Sequence, residues 1–273
     1  MTAAAAPRGE PTTRIERARR LGRFAARILV TWARAARWSA DPRATAGLAV
    51  DCARRTLAIL GVGVTLRGAD ALRDGPLLVV ANHVSWLDVY LLNALAPARF
   101  VAKSEVRRWP LVGPIAAAFG TFFIVRGSYR DAARVKDAIA AALRRGERVV
   151  VFPEGTTTDG TRVAPFYAAL LQAAIDAGVP VQPIAIRYVG PDGAPDAAAA
   201  FVDDMSFATS LARILGRRRL VADVHIAPAF PSKWQTRRDL AFLTRRWITA
   251  TLLLEDAPQP DRRRRHAARR RAA

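Results

Sequence analysis

Leu77-Leu78-Val79-Val80-Ala81-Asn82-His83-Val84-Ser85-Trp86-Leu87-Asp88 sets five apolar residues directly before a polar turn that carries a histidine and, five positions on, a carboxylate. A short apolar run bounded by a turn-prone cluster reads as a buried strand. Seventy residues later Val149-Val150-Val151-Phe152 ends in Pro153-Glu154-Gly155-Thr156, a second run of the same build. Two apolar strands that each stop at a polar cluster place a site at the carboxyl edge of an α/β sheet.

Working outward, strand and helix patterns alternate. Strands are expected at 77–81, 99–102, 121–125, 149–152, 179–188 and 220–226. Helices are expected at 86–94, 112–119, 131–144, 165–177 and 237–254. This alternation implies an α/β fold with a largely parallel sheet flanked by helices. Segment 190–205, with its Gly-Pro-Asp-Gly start and Ala-rich continuation, reads as a loop or insertion. The expected organisation is a disordered leader (1–13), a basic and then an apolar helix for membrane association (14–64), the main domain (65–255) and an Arg-rich disordered tail (256–273).

Charge is concentrated at the two ends. The formal net charge is +20. Residues 1–38 hold nine arginines against Glu10 and Glu16, and the stretch from Asp256 holds seven against Asp256 and Asp261. Basic ends of this kind call for a polyanionic surface, either anionic lipid or nucleic acid. Between Ile15 and Trp38, Leu21, Phe24, Ala25, Ile28, Leu29, Trp32 and Ala35 follow helical spacing with arginines on the flanks and back. That pattern fits a surface helix packed on its own domain, but the density of arginine and the flanking Trp38 favour an amphipathic helix in a membrane interface. A second helix is expected over 44–60. No 18-residue stretch is uninterruptedly apolar, because Asp51, Arg54 and Arg55 break the best one. One cysteine, Cys52, excludes an internal disulfide framework and a cysteine-rich zinc site. With three histidines in the chain, no metal site is expected.

A histidine beside a carboxylate is the minimal device for taking a proton from a hydroxyl. On one regular helix, positions five apart point about 140° away from each other. His83 therefore belongs to the turn before a helix and Asp88 to its first turns, with Asn82 turning or capping and Ser85 as an N-cap. No Gly-x-Ser-x-Gly elbow is present to supply a nucleophile, so the attacking hydroxyl is expected to be the substrate's own. Taken alone, the pair is a weak signal and reads first as a satisfied core histidine and a helix cap.

The wider pattern is more specific. Asn82-His83-Val84-Ser85-Trp86-Leu87-Asp88 resembles the first motif of the glycerolipid acyltransferases, the family of 1-acyl-glycerol-3-phosphate acyltransferases. Gly120-Thr121-Phe122-Phe123-Ile124-Val125-Arg126 resembles their second motif and Val151-Phe152-Pro153-Glu154-Gly155-Thr156 their third. Val179-Pro180-Val181-Gln182-Pro183-Ile184-Ala185-Ile186 resembles the fourth. The four stand in the family's order across roughly residues 75–190.

The resemblance implies that His83, oriented by Asp88, deprotonates the free hydroxyl of a lysolipid acceptor. The hydroxyl then attacks the thioester of acyl-CoA or acyl carrier protein, without a cofactor or metal and with backbone N–H groups facing the oxyanion. It implies that Arg126 binds the acceptor's phosphate, that Glu154 orders the loop or the acceptor, and that Gly155 and Thr156 contribute to acceptor binding, Gly155 through a positive φ or a close backbone approach. It also implies a membrane-associated enzyme at the cytoplasmic face of the inner membrane. The third motif departs from the family, because Thr157 stands where an arginine usually follows Glu-Gly-Thr; Arg162 is the nearest compensating charge. The phosphate acceptor is the first reading. Lyso-ornithine lipid is the alternative, since its acyltransferases resemble the Thr-rich variant. A polyanion-binding protein is the alternative from another class, although no specific nucleic-acid module appears.

Overall fold

The computed structural model describes residues 11–38, 42–190, 193–202 and 204–253. At its centre is a seven-stranded sheet of β1 (Val62–Arg67), β2 (Leu77–Ala81), β3 (Arg99–Lys103), β4 (Phe122–Ile124), β5 (Arg148–Val151), β6 (Val181–Val189) and β7 (Leu220–Ile226). Their order is β1-β7-β6-β2-β5-β3-β4. The five strands from β6 to β4 run parallel; β7 is antiparallel to β6, and β1 runs parallel to β7.

Strand β2 sits in the middle because it has no polar face. All five of its residues are buried, as expected of a parallel strand covered on both sides. Alternation sends Leu77, Val79 and Ala81 to one layer and Leu78 and Val80 to the other. The first layer packs α1 (Arg14–Trp38), α2 (Pro42–Leu60), α3 (Leu87–Leu95) and α7 (Phe207–Leu215) on the sheet through Phe24, Leu57, Leu91 and Ile214. The second packs α5 (Tyr129–Arg144), α6 (Gln172–Ala177) and α8 (Arg237–Leu252) through Ile139, Ala174 and Leu240. A short helix, α4 (Val112–Ala118), lies against α1. Helix α5 starts at a Ser128 cap and α8 at a Thr236–Asp239 capping box.

Several expectations change. The boundary expected at residue 65 falls inside β1, a strand with four consecutive exposed residues and therefore little hydrophobic signature. Helix α7 was not anticipated either. The helix expected over 165–177 begins only as a 3₁₀ turn at Ala168 and as α-helix at Gln172. The Tyr167 N–H instead donates to Pro153 O at 2.8 Å, which holds the preceding residues extended against the third-motif loop.

The expected leader lies outside the described residues up to position 10. Beyond it Thr12 is buried and donates to Leu215 O at 2.6 Å, so 11–13 belong to the ordered body. The Arg-rich tail and His266 lie outside the described residues. His225 sits 3.2 Å from Asp223, whose carboxylate also holds Arg67 and Arg187, and it pairs in the sheet with Ala185 of the fourth motif. No helix among the described residues is long and apolar enough to cross a membrane.

Candidate active site

The carboxyl ends of β2 and β5 are adjacent, because those strands pair directly. His83 leaves β2 in the turn before α3, and Asp88 is the second residue of that helix. Trp86 rather than Ser85 is the helix's flanking residue, and it makes no side-chain cap; Ser85 Oγ accepts from Leu87 N at 3.3 Å. Asn82 neither caps nor turns. Its Nδ2 donates to Ile186 O and its Oδ1 accepts from Ile186 N, both at 2.8 Å. The amide thus replaces a backbone rung where the β2–β6 ladder stops, and it fixes where His83 departs.

Asp88 is completely buried and completely satisfied. Its Oδ2 accepts from His83 Nδ1 at 2.8 Å, from Val84 N at 2.8 Å and from Ser85 N at 2.9 Å. Its Oδ1 accepts from the Tyr188 hydroxyl at 2.6 Å. Burial, reinforced by the Asp88 carboxylate, pushes the Tyr188 phenol well above its ordinary range, so the hydroxyl stays a donor. An ionised carboxylate accepts only, so the proton on the shared line belongs to Nδ1. Nε2 is left with its lone pair, on a side chain that keeps partial access to solvent. Phe152 stacks on the imidazole with centroids 4.0 Å apart and planes 12° apart, which holds the ring's tilt.

Of the two roles expected of Glu154, ordering the loop or the acceptor, the hydrogen bonds show the first. It is buried, and both oxygens are taken by backbone donors, Oε1 by His83 N and Oε2 by Ala164 N, each at 2.7 Å. Burial pushes its pKa up to about 7, against the pull of those two N–H groups. Glu154 therefore braces the His83 turn against the 155–164 loop. That loop closes further when Thr158 N donates to His83 O at 2.8 Å. Gly155 has φ +70°, a conformation that calls for glycine, and a Cβ there would lie 3.3 Å from the exposed Tyr167 ring. Thr156 is exposed beside it.

Arg126 stands exposed just beyond β4. It shares the carboxyl edge with His83 but lies three strand spacings from β2, about 14 Å in the plane of the sheet. Glu105 is a charged neighbour. Thr157, at the position of the missing arginine, spends its hydroxyl on Phe201 O. Arg162 sits near the Asp159 carboxylate.

Sequence reasoning therefore brought His83 and Asp88 together correctly in space, because they are local. It missed Tyr188 and Asn82's clasp on Ile186, whose partners are 100 and 104 residues apart. It also missed the stacking of Phe152. The only available signal was that Phe152 lies within the third motif and Tyr188 two residues past the fourth. No group of three or more metal-binding side chains occurs among the described residues.

A histidine held by a buried carboxylate and partly open to solvent is an arrangement that can take a proton from a substrate hydroxyl. The acyltransferase family model matches residues 63–187, which span all four motifs. A lyso-ornithine lipid O-acyltransferase of Pseudomonas aeruginosa is 43% identical over 188 residues, covering 69% of this chain and 72% of that protein. A 1-acyl-sn-glycerol-3-phosphate acyltransferase of Neisseria meningitidis is 38% identical over 175 residues, covering 64% and 68%. The crystal structure of the 1-acyl-sn-glycerophosphate acyltransferase of Thermotoga maritima superposes with a TM-score of 0.61 at 19% identity, over 86% of this chain and 96% of that one. The chain belongs to the acyltransferase family, and it is an acyltransferase whose relatives are named for both lyso-ornithine lipid and 1-acyl-sn-glycerol-3-phosphate.

Proposed function

We propose that this enzyme moves a fatty acyl group from a thioester, acyl-CoA or acyl carrier protein, to the hydroxyl of lyso-ornithine lipid. His83 Nε2 takes the hydroxyl proton while the oxygen attacks the thioester carbonyl. The Asp88 carboxylate stabilises the imidazolium that forms. The tetrahedral intermediate collapses with cleavage of the C–S bond, and the leaving sulfur takes the proton back from His83. An ester and a free thiol result, and the sequence so written calls on no cofactor.

The observation that carries the choice of acceptor is Thr157. A charge-assisted contact to phosphate is worth roughly 1.5–3 kcal/mol, and here its place is taken by a hydroxyl already bonded to Phe201 O. This favours an acceptor without a phosphate ester, which reverses the order of the two acceptors expected from sequence. Relatives named as lyso-ornithine lipid O-acyltransferases, including those of Pseudomonas aeruginosa and Rhodobacter capsulatus, support it. The phosphate reading keeps the exposed Arg126 at the same sheet edge and relatives named as 1-acyl-sn-glycerol-3-phosphate acyltransferases in its favour. The protein works at a membrane surface in this reading, on the cytoplasmic side where both acyl donors occur, with α1 against anionic lipid.

The test is a competition in detergent. Wild type and His83→Ala receive both acyl donors together with lyso-ornithine lipid and 1-acyl-glycerol-3-phosphate, and products are resolved by mass spectrometry. Ornithine lipid from wild type only is the expected result. Phosphatidic acid as the sole product would return the acceptor to the phosphate class, and turnover by His83→Ala would remove the general base.

A further inference from the structure

Between the end of β3 and the segment leading into α7 lies a cleft of about 440 Å³, lined by Lys103, Trp109, Phe201, Asp204, Met205 and Phe207 among others. It adjoins the catalytic turn. Phe201 N donates to Val84 O at 3.0 Å, and Phe201 O accepts from Thr157. Phe207 packs on Trp86 with ring centroids 4.9 Å apart. One wall is thereby pinned both to the residue after His83 and to the loop where the family's arginine is replaced.

Two opposite charges line this cleft. Lys103 lies 5.9 Å from the Trp109 ring, and its charge helps to hold the neighbouring Glu105 carboxyl below its ordinary range. Asp204 is exposed. Neither forms an ion pair among the described residues, so the two charges do not neutralise each other. A cleft for a phosphate monoester would carry cations alone, since a carboxylate there repels a dianion. A cleft with one cation, one anion and aromatic walls between them suits a head with a carboxylate, an ammonium and methylenes linking them.

We propose that Asp204 is the residue that sets acceptor specificity, receiving the ammonium group of the zwitterionic head while Lys103 receives the carboxylate. This rests on the acceptor reading above. Asp204 is a binding residue in this scheme, and the proton transfer at His83 proceeds without it.

The test is steady-state kinetics of the full chain, as wild type, Asp204→Asn and Asp204→Glu. Three acceptors are compared: lyso-ornithine lipid, the same lipid with its head amine acetylated, and 1-acyl-glycerol-3-phosphate. Losing one charge-assisted contact should raise KM for lyso-ornithine lipid about tenfold in Asp204→Asn, with kcat nearly unchanged. Asp204→Glu should restore most of that loss. The acetylated lipid should be as poor a substrate for wild type as for Asp204→Asn, which also reports that the variant is folded. The phosphate acceptor should improve in the variant. An unchanged KM for lyso-ornithine lipid, or an equal loss on the acetylated lipid, would overturn the Asp204 assignment and leave the acceptor reading standing. A wild type that acylates only the phosphate acceptor would overturn the acceptor reading itself.

Discussion

At the scale of single residues the chemistry hangs on how Asp88 divides its two oxygens. Oδ2 gathers three N–H donors and Oδ1 one hydroxyl, so the side chain is both orienting group and structural knot. Two substitutions separate these jobs. In Asp88→Asn the carboxamide oxygen can still receive His83, Val84 and Ser85, and the new NH₂ can face a Tyr188 hydroxyl that turns to accept. The contacts survive and the negative charge does not. Thermal stability should therefore stay close to wild type, while kcat falls by about 10²–10⁴ through loss of imidazolium stabilisation. Asp88→Ala instead leaves several buried donors unpaired, at about 1–3 kcal/mol each, and should not fold stably. Activity within tenfold of wild type for Asp88→Asn would show that the charge is not what His83 uses.

Elements differ in how plainly the sequence announces them, and the reason lies in where their information sits. Strands β2 and β5 were legible because burial on both faces demands unbroken apolar runs. The His83 turn was legible because its partners lie within five residues. β1 was not, since its exposed residues follow an apolar helix with no composition break. The stretch 164–167 runs without a break into helical sequence, but bonds from Tyr167 N to Pro153 O and from Ala164 N to Glu154 draw it onto the third-motif loop. Glu154 is the hinge of that arrangement, and it makes the coupling measurable. Its folded pKa is raised to about 7 while the unfolded chain titrates near 4.5. Stability from this group is thus full below pH 4.5 and is lost as pH rises through 7, to a limit of about 3 kcal/mol. Urea midpoints of wild type should fall between pH 5 and 8. Glu154→Gln should start lower, because its NH₂ meets a backbone N–H, and should not fall across that window. Parallel pH profiles would mean that Glu154 is not the titrating group.

For the whole molecule the decisive feature is that α1 has two apolar faces and one basic one. Phe24, Ile28 and Ala35 are buried against α2 and the sheet layer beneath. Leu21, Ala25, Leu29, Trp32 and Ala36, spaced by four, four, three and four residues, form a second stripe that is exposed, with Leu29 at 51% and Trp32 at 42%. Arg19, Arg23, Arg34 and Arg37 are exposed on a third arc. Packing within the fold accounts for the first stripe only. An apolar groove of about 340 Å³ between Trp32, Ala36 and α4 continues the second stripe across the molecule. Apolar burial and arginine–lipid attraction act together in such a face, each arginine contributing about 1 kcal/mol near an anionic surface. The two contributions respond to different changes. Raising salt should weaken binding of wild type to phosphatidylglycerol vesicles by screening the arginines. Leu29→Glu with Trp32→Glu should abolish that binding at any salt, without unfolding, because neither side chain belongs to the core. The measurement is vesicle co-sedimentation at low and high salt, with circular dichroism on the variant. If the double variant sediments like wild type, the exposed stripe is not the seat of the membrane, and the arginine arc alone would have to hold the enzyme there.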